Sequence, residues 1–371
     1  MRILQVNKLY TPWIGGVETV AQDIAEGLNG RDGISVVNLV CQPRGARKVE
    51  DVHGVPTYRA ASWGIVSGMP LSWDFFMLFR KLAKDADVII LHHPFPLAFV
   101  AYRLFGRGKR VVVWYHSDIV RQRIAKLPFL PFIHFALRRA EHIFVSNNAI
   151  VKNSTMLSGF SEKCRVAYFG IDPARFRETD EVRKKAEELR TAYGTPLVLA
   201  VGRLIYYKGF LYLVAAMKDV PAHLLIVGSG PMQDALEREI RELHLEDRVH
   251  IVGSVPDLVP YYHACDIFAL PSSEPSEVFG IVQIEAMACG KPVVNTALPT
   301  GVPEVSVEGV TGRTVPPRDA AALGGALREL ISDKDEYRKF SENALRAVAE
   351  RFTKERFLEG MKRYLLRTNS A

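Results

Sequence analysis

Leu197-Val198-Leu199-Ala200-Val201-Gly202-Arg203-Leu204-Ile205-Tyr206-Tyr207-Lys208-Gly209 is a run of five apolar residues that stops at a glycine and gives way to a loop carrying two cations. Five unbroken apolar residues fit a strand covered on both faces, as in a parallel sheet, and not the alternation of a half-exposed strand. The pattern repeats downstream at residues 224–227, 249–252, 267–270 and 292–295, each run followed by turn residues and an amphipathic stretch. Upstream it has already run once, through 2–6, 35–40, 88–91, 110–115, 142–145 and 165–168. Between the two series lies a polar stretch, 172–194, with a charged helical segment at 181–193 and no strand, which reads as a linker. The fold class expected is therefore α/β, with two Rossmann-like doubly wound domains whose strand ends face a central cleft, the default ligand site.

Length agrees, since 371 residues exceed one ordinary α/β core and suit two domains of roughly 170 residues. The boundaries expected are 1–173 and 174–352, with a last helical segment at 353–371. The chain carries 48 Lys and Arg against 41 Asp and Glu, a mild excess that suits anionic ligands such as diphosphates or acidic lipid surfaces. The basic residues are dispersed and no zinc-finger or RNA-module spacing occurs, so nucleic acid is not expected as a partner. Cys41, Cys164, Cys265 and Cys289 are far apart and form no C-x-x-C pair, which argues against a disulfide framework or a structural metal. No apolar run approaches the ~20 residues of a membrane span, so a cytoplasmic chain is expected. Residues 121–139 interleave Ile124, Phe129, Phe132 and Phe135 with Arg121, Arg123, Lys126, Arg138 and Arg139. The segment reads either as a peripheral contact with an anionic membrane or as helices packed on the sheet.

The strongest local signal is Glu277-Val278-Phe279-Gly280-Ile281-Val282-Gln283-Ile284-Glu285, a loop that enters a helix at Gly280. Free N–H groups at a helix start, backed by its dipole, suit a diphosphate, and glycine leaves room for it. Glu285 lies about 7 Å along the axis from the helix start. The two carboxylates can then serve different parts of an extended ligand, sugar hydroxyls and a ribose diol. The bland alternative is a capping acid and a surface acid. Arg203 and Lys208 would neutralise diphosphate charge where a metal otherwise does, although Arg and Lys are common on any loop. Gly15 and Gly16, after the first strand, allow close backbone approach or form a plain turn. His116, at the end of the run 111–115, suits a sugar hydroxyl or phosphate, or serves as a satisfied structural histidine. The glycines and prolines of 299–317 read as turns around a β-hairpin.

With these residues in view, the chain resembles the retaining glycosyltransferases of the GT-B fold, specifically the family-four enzymes of bacterial polysaccharide and glycolipid synthesis. The match runs from Gly15-Gly16-Val17-Glu18 to Val315-Pro316-Pro317, and its most specific element is the E-x7-E pair Glu277 and Glu285 within F-G-x-x-x-x-E-A-x-A-x-G-x-P-V-V. The resemblance implies that Glu277 and His116 are catalytic, His116 lying near the transferred sugar. It implies donor contacts from Gly15, Gly16, Arg203, Lys208, Val278, Phe279, Gly280, Ile281 and Glu285. It implies no metal and no cofactor, a nucleotide-sugar co-substrate with a GDP-sugar favoured over a UDP-sugar, and a glycan or polyprenyl-diphosphate-linked acceptor. It also implies that the segment 353–371 packs back on the first domain. The turn Thr300-Gly301-Val302-Pro303-Glu304 and the His116-Ser117-Asp118 sequence depart from the usual pattern.

Three other readings are weaker. A nicotinamide-dependent oxidoreductase needs G-x-G-x-x-G in a tight first turn, whereas the first turn here is long and Gly228-Ser229-Gly230-Pro231 lacks the third glycine. A sugar-nucleotide epimerase or phosphorylase would share the fold and differ in its products. A non-catalytic sugar-nucleotide sensor would not need Glu277, Arg203 and Lys208 together.

Overall fold

A computed structural model describes residues 1–13, 15–66, 68–118 and 127–366. The chain forms two compact units: Met1–Tyr168, joined by the chain from Phe357 onward, and Phe169–Arg356. The first opens with β1 (Arg2–Val6), α1 (Gly16–Leu28) and β2 (Ser35–Cys41), then folds through β3 (Lys48–Val52), β4 (Val55–Ala60) and the small hairpin β5 (Ile65–Val66) and β6 (Met69–Pro70). It resumes with α2 (Asp74–Asp85), β7 (Val88–His93), α3 (Pro96–Ala101), β8 (Arg110–Tyr115), α4 (Leu130–Arg139), β9 (His142–Val145), α5 (Asn148–Asn153) and β10 (Cys164–Val166).

The second unit follows with α6 (Asp180–Tyr193), β11 (Leu197–Val201), α7 (Phe210–Ala216), β12 (His223–Val227), α8 (Gln233–Glu242), β13 (Val249–Gly253), α9 (Val259–Ala264) and β14 (Ile267–Leu270). Then come α10 (Ile281–Ala288), β15 (Val293–Thr296), α11 (Val302–Val305), β16 (Gly312–Val315), α12 (Ala320–Ser332) and α13 (Lys334–Arg351), after which α14 (Lys354–Leu366) leaves this unit for the first.

Both sheets have the doubly wound order that the apolar runs anticipate. In the first unit it is β10-β9-β8-β7-β1-β2-β4-β3, parallel except for the pair β3 and β4; in the second it is β13-β12-β11-β14-β15-β16, parallel throughout. Each sheet is wound outward from its first strand in one direction and then in the other. The crossover falls between β1 and β7 in the first unit and between β11 and β14 in the second. The central strands are buried along their length: every residue of β7 and of β11 is buried.

Three expectations need correction. The polar stretch 172–194 is not a linker, because its helix α6 belongs to the second unit, where Arg190 donates to the Ala264 carbonyl at 2.7 Å and to Asp266 at 3.1 Å. A polar face is no evidence of an unattached helix when one of its cations binds the turn that leads into a buried strand. Residues 299–317 hold no β-hairpin: α11 intervenes, and β16 runs parallel to β15 with Val293 opposite Gly312. Turn residues mark where a chain bends without saying how it returns. The strand expected at 165–168 is the shorter β10, an edge strand paired on one side only.

Helix α14 returns to the first unit, burying Phe357, Leu358, Met361 and Leu365 there. Phe357 meets the Trp114 ring edge to face with centroids 5.5 Å apart, and Lys362 reaches Asp32 at 2.7 Å. Of the residues 121–139, those at 121–126 lie outside the described residues. The rest form α4 and the turn before it, with Ile133 and Leu137 buried and Phe129, Phe132 and Phe135 packed against the core. No helix among the described residues is long and apolar enough to cross a membrane. Because α14 is held by its apolar face, Phe357→Ala should cost about 3–5 kcal/mol and Arg356→Ala, on the exposed face, under about 0.5 kcal/mol. Urea midpoints of the first unit's unfolding would show the contrast, and equal midpoints would refute it.

Candidate active site

Ligands of doubly wound sheets lie at the carboxyl ends of the strands that flank the crossover. In the second unit those strands are β11 and β14. The loop after β11 carries Gly202, Arg203 and Lys208; the loop after β14 carries Ser272, Ser273 and Glu277. Gly209, at φ +70°, lets the two loops meet: a Cβ there would stand 1.9 Å from the Pro271 carbonyl oxygen. The Ser273 amide then donates to the Tyr207 carbonyl at 2.8 Å. Lys208 Nζ comes to 2.6 Å from Glu277 Oε2, with both side chains largely buried, and Ser272 Oγ donates to the same oxygen at 3.1 Å. Arg203 beside them is exposed and makes no ion pair among the described residues. Burial, then the Glu277 carboxylate, pushes the Tyr207 phenol upward, while Lys208 and Arg203 pull it back.

Glu277 leads into α10, whose N-cap is Gly280 at φ 72° with no side chain capping the helix. A Cβ on Gly280 would press within 2.6 Å of Leu270. The first-turn N–H groups of Ile281 and Val282 have no acceptor inside the helix, which makes this end attractive to an anion. The Phe279 ring is buried between Phe169 at 5.1 Å and Phe352 at 6.3 Å, so at this position the loop offers a ligand backbone, not side chain.

The loop is held from behind by residues that sequence reading missed. Gln283 Nε2 donates to the Phe279 carbonyl at 3.1 Å, and Asn295 Nδ2 donates to Gln283 Oε1 at 2.8 Å. Asn295 also donates to the carbonyls of Val302 and Ser306, both at 3.1 Å, and accepts from Thr314 at 2.7 Å. The Gly301 amide donates to the Val278 carbonyl at 2.8 Å, so the unusual turn 300–304 serves as the backing of the loop. A polar Gln283 between the two acids, on a helix whose one other polar residue is Glu285, is the sequence signal that could have pointed here.

Glu285 is the second acid. Tyr262, wholly buried, donates to its Oε2 at 2.5 Å. Burial pushes the Glu285 carboxyl above the usual carboxylate range, with the Tyr262 bond and the Arg175 cation partly offsetting it. The Oε1 atom makes no hydrogen bond within the chain among the described residues.

In the first unit the crossover strands are β1 and β7, paired from Ile3 opposite Val88 to Val6 opposite Leu91, and β7 ends in His92 and His93. Gly15 is extended, at φ −171°, a conformation open to any residue. A Cβ on Gly15 would meet only the tip of Glu18, and one on Gly16 would meet nothing within 4 Å. The polypeptide does not itself require these glycines. His116 is 6% exposed. The Trp114 indole N–H donates to its Nδ1 at 3.0 Å, and its Nε2 lies 2.9 Å from His92 Nδ1. Since the indole can only donate, the bonding pattern assigns the His116 proton to Nε2, which donates to His92. His92 must then carry its proton on Nε2, a buried atom with no partner among the described residues. Burial drives both imidazoles toward neutrality, His92 to about 3 and His116 well below its ordinary value, with His92 and His93 adding to the effect on His116. Both His116 ring nitrogens thus face neighbours, Trp114 and His92, in the absence of a ligand. Asp118 is pinned too, its Oδ1 accepting from Tyr115 and, at 2.8 Å, from Ser154.

A carboxyl whose folded-state value is raised stabilises the fold while it keeps its proton and loses that contribution as pH climbs through the raised value. The stability of the parent chain should therefore fall, relative to Glu285→Gln, as pH rises from below the ordinary carboxylate range to neutrality. Chemical denaturation of both proteins across that range would measure it; parallel curves would contradict the buried, raised carboxyl.

Family models match along most of the chain: "Glycosyltransferase Family 4" over residues 14–175 and "Glycosyl transferases group 1" over residues 181–347. The D-rhamnosyltransferase WbpZ of Pseudomonas aeruginosa is 31% identical over 358 residues, 95% of this chain and 92% of that protein. The O-antigen chain mannosyltransferase C of Escherichia coli is 29% identical over 97% of this chain and 96% of its own length. Among solved structures, Anabaena Alr3699/HepE in complex with UDP superposes with a TM-score of 0.82 at 23% identity, covering 98% of this chain and 99% of that one, a likeness of fold. The E-x7-E loop, the cations after β11 and two doubly wound units thus occur in a chain that belongs to the GT-B glycosyltransferases, a family 4 domain followed by a group 1 domain.

Proposed function

We propose that the chain is a retaining, metal-independent hexosyltransferase that takes mannose or a related sugar from a GDP-sugar. In this reading it adds the sugar to a glycan or polyprenyl-diphosphate-linked acceptor during O-antigen-type or capsular polysaccharide synthesis in the cytoplasm. The observation that carries the reading is the Lys208–Glu277 pair at 2.6 Å beside the uncapped start of α10. A diphosphate seated on Ile281 and Val282 would meet Lys208 and Arg203, whose charges oppose the negative charge that grows on the leaving group. Glu277 then accepts from sugar hydroxyls and Glu285, through Oε1, from the ribose.

The acceptor attacks on the face the nucleotide leaves. Gly15 and Gly16 fit close passage of the donor, since neither glycine is needed by the chain itself. His116 acts as a positioning residue for the end of β8, through the neutral array with Trp114 and His92. The rhamnosyl and mannosyl relatives support a manno-configured sugar and with it GDP over UDP.

Glu277→Gln keeps the volume and the Ser272 contact and should lower turnover at least ~100-fold, with the thermal midpoint lowered only by the loss of the Lys208 charge pair. Parental turnover in that variant would refute the assignment. Thermal shifts with GDP, UDP, ADP and dTDP, each with and without magnesium, test the donor: stabilisation by GDP alone, unaffected by EDTA, is expected. A shift that requires magnesium would exclude the metal-free clamp. The anomeric configuration of the product, read by NMR, decides retention.

A further inference from the structure

The paired strands β11 and β14 begin at the opposite end of the second unit's sheet from the loops that carry Lys208 and Glu277. At that end the chain leaves a cavity of about 270 Å³ between the last turn of α6, the strand starts and the junction of α12 with α13. Its size is close to the ~300 Å³ of the smaller ligand sites. Ligands of doubly wound sheets lie at the carboxyl ends of the strands, so the substrates of this fold do not account for a cavity at the amino ends.

The walls are set by the fold. Ile267 and Leu330 are buried, and with Pro196 and Ile331 they give the cavity an apolar lining. The Tyr337 ring is fixed by its hydroxyl, which donates to the Asp266 carbonyl at 3.1 Å. The Asp266 carboxylate is occupied on both oxygens: Oδ2 accepts from the Leu197 amide at 2.7 Å, and Oδ1 accepts from Arg190 Nη1 at 3.1 Å. Its charge is therefore matched by Arg190.

The cations of the cavity have capacity left over. Arg190 engages only Nη1, with Asp266 and the Ala264 carbonyl, so Nε and Nη2 make no hydrogen bond among the described residues. Lys334 makes no ion pair or side-chain hydrogen bond among the described residues. The acids next to it on α13 are committed elsewhere. Asp333 caps the amides of Asp335 and Glu336, Asp335 lies 3.7 Å from Arg338, and Glu336 meets Arg313 at 2.7 Å. Lys334 also stands at the first position of α13, where the helix dipole favours an anion and opposes a cation. Two cations against one acid leave a positive charge unmatched beside an apolar wall.

We infer that this cavity binds a small organic monoanion, a carboxylate carried on an aryl or short alkyl body. The carboxylate bridges Lys334 Nζ and the open side of the Arg190 guanidinium, whose planar fork fits two carboxylate oxygens. The body covers Leu330, Ile331 and the Tyr337 ring and removes apolar surface from water. A bare phosphate leaves that wall wet, and an uncharged hydrocarbon leaves Lys334 unmatched. The binding does not involve the sugar donor proposed above.

Saturation-transfer NMR of the full chain with phenylpropionate, phenylpropionamide and acetate tests the charge and the body separately. Phenylpropionate should bind saturably below ~10 mM, with the amide and acetate each at least ~10-fold weaker. Lys334→Gln, at an exposed helix end, should weaken phenylpropionate at least ~10-fold. Ile331→Trp fills the cavity and should abolish binding, with the circular dichroism of both variants matching the parent. Saturating GDP or UDP should leave the phenylpropionate signal unchanged. Absence of saturable binding, equal binding of the amide, or parental affinity in Lys334→Gln would overturn the inference. So would displacement by GDP or UDP, which would place the anion at the start of α10.

Discussion

Gly209 lacks a Cβ, and the contact of the β11 and β14 loops rests on that absence. With the loops in contact, Lys208 and Glu277 neutralise each other in a nearly dry place, where either charge alone would be costly. The arrangement explains why the loop after β14 is supported by so many neutral hydrogen bonds. Gln283 fixes the Phe279 carbonyl, Asn295 holds Gln283 and Thr314 holds Asn295, without adding another charge that would compete for Lys208. The ionic pair and the amide network thus divide the work: the network fixes the loop, and the pair sets the charge presented beside the start of α10.

The corresponding end of the first unit is organised on the opposite electrostatic principle. Trp114, His116 and His92 form a chain of neutral donors and acceptors, and burial keeps the two imidazoles uncharged across the physiological range. The array sits at the ends of β7 and β8 and holds their geometry against changes in pH. Its indole also meets Phe357 of α14, so the last helix and the strand ends share one aromatic cluster.

The sequence by itself determined the doubly wound class, because unbroken apolar runs ending at turn residues have few other solutions, and it marked Glu277, Glu285, Arg203 and Lys208 by their places at strand and helix ends. It could not show that α6 is anchored through Arg190, nor that β16 returns parallel. Both depend on partners roughly 20 to 75 positions away along the chain. Tertiary structure alone decided that Lys208 faces Glu277, that Tyr262 holds Glu285, and that both nitrogens of His116 are spent on Trp114 and His92. The physical reason is the same in each case. Local pattern reports which residues prefer to be buried or to end an element, whereas a hydrogen bond or ion pair needs two groups at a set distance, and only the packed sheet sets that distance.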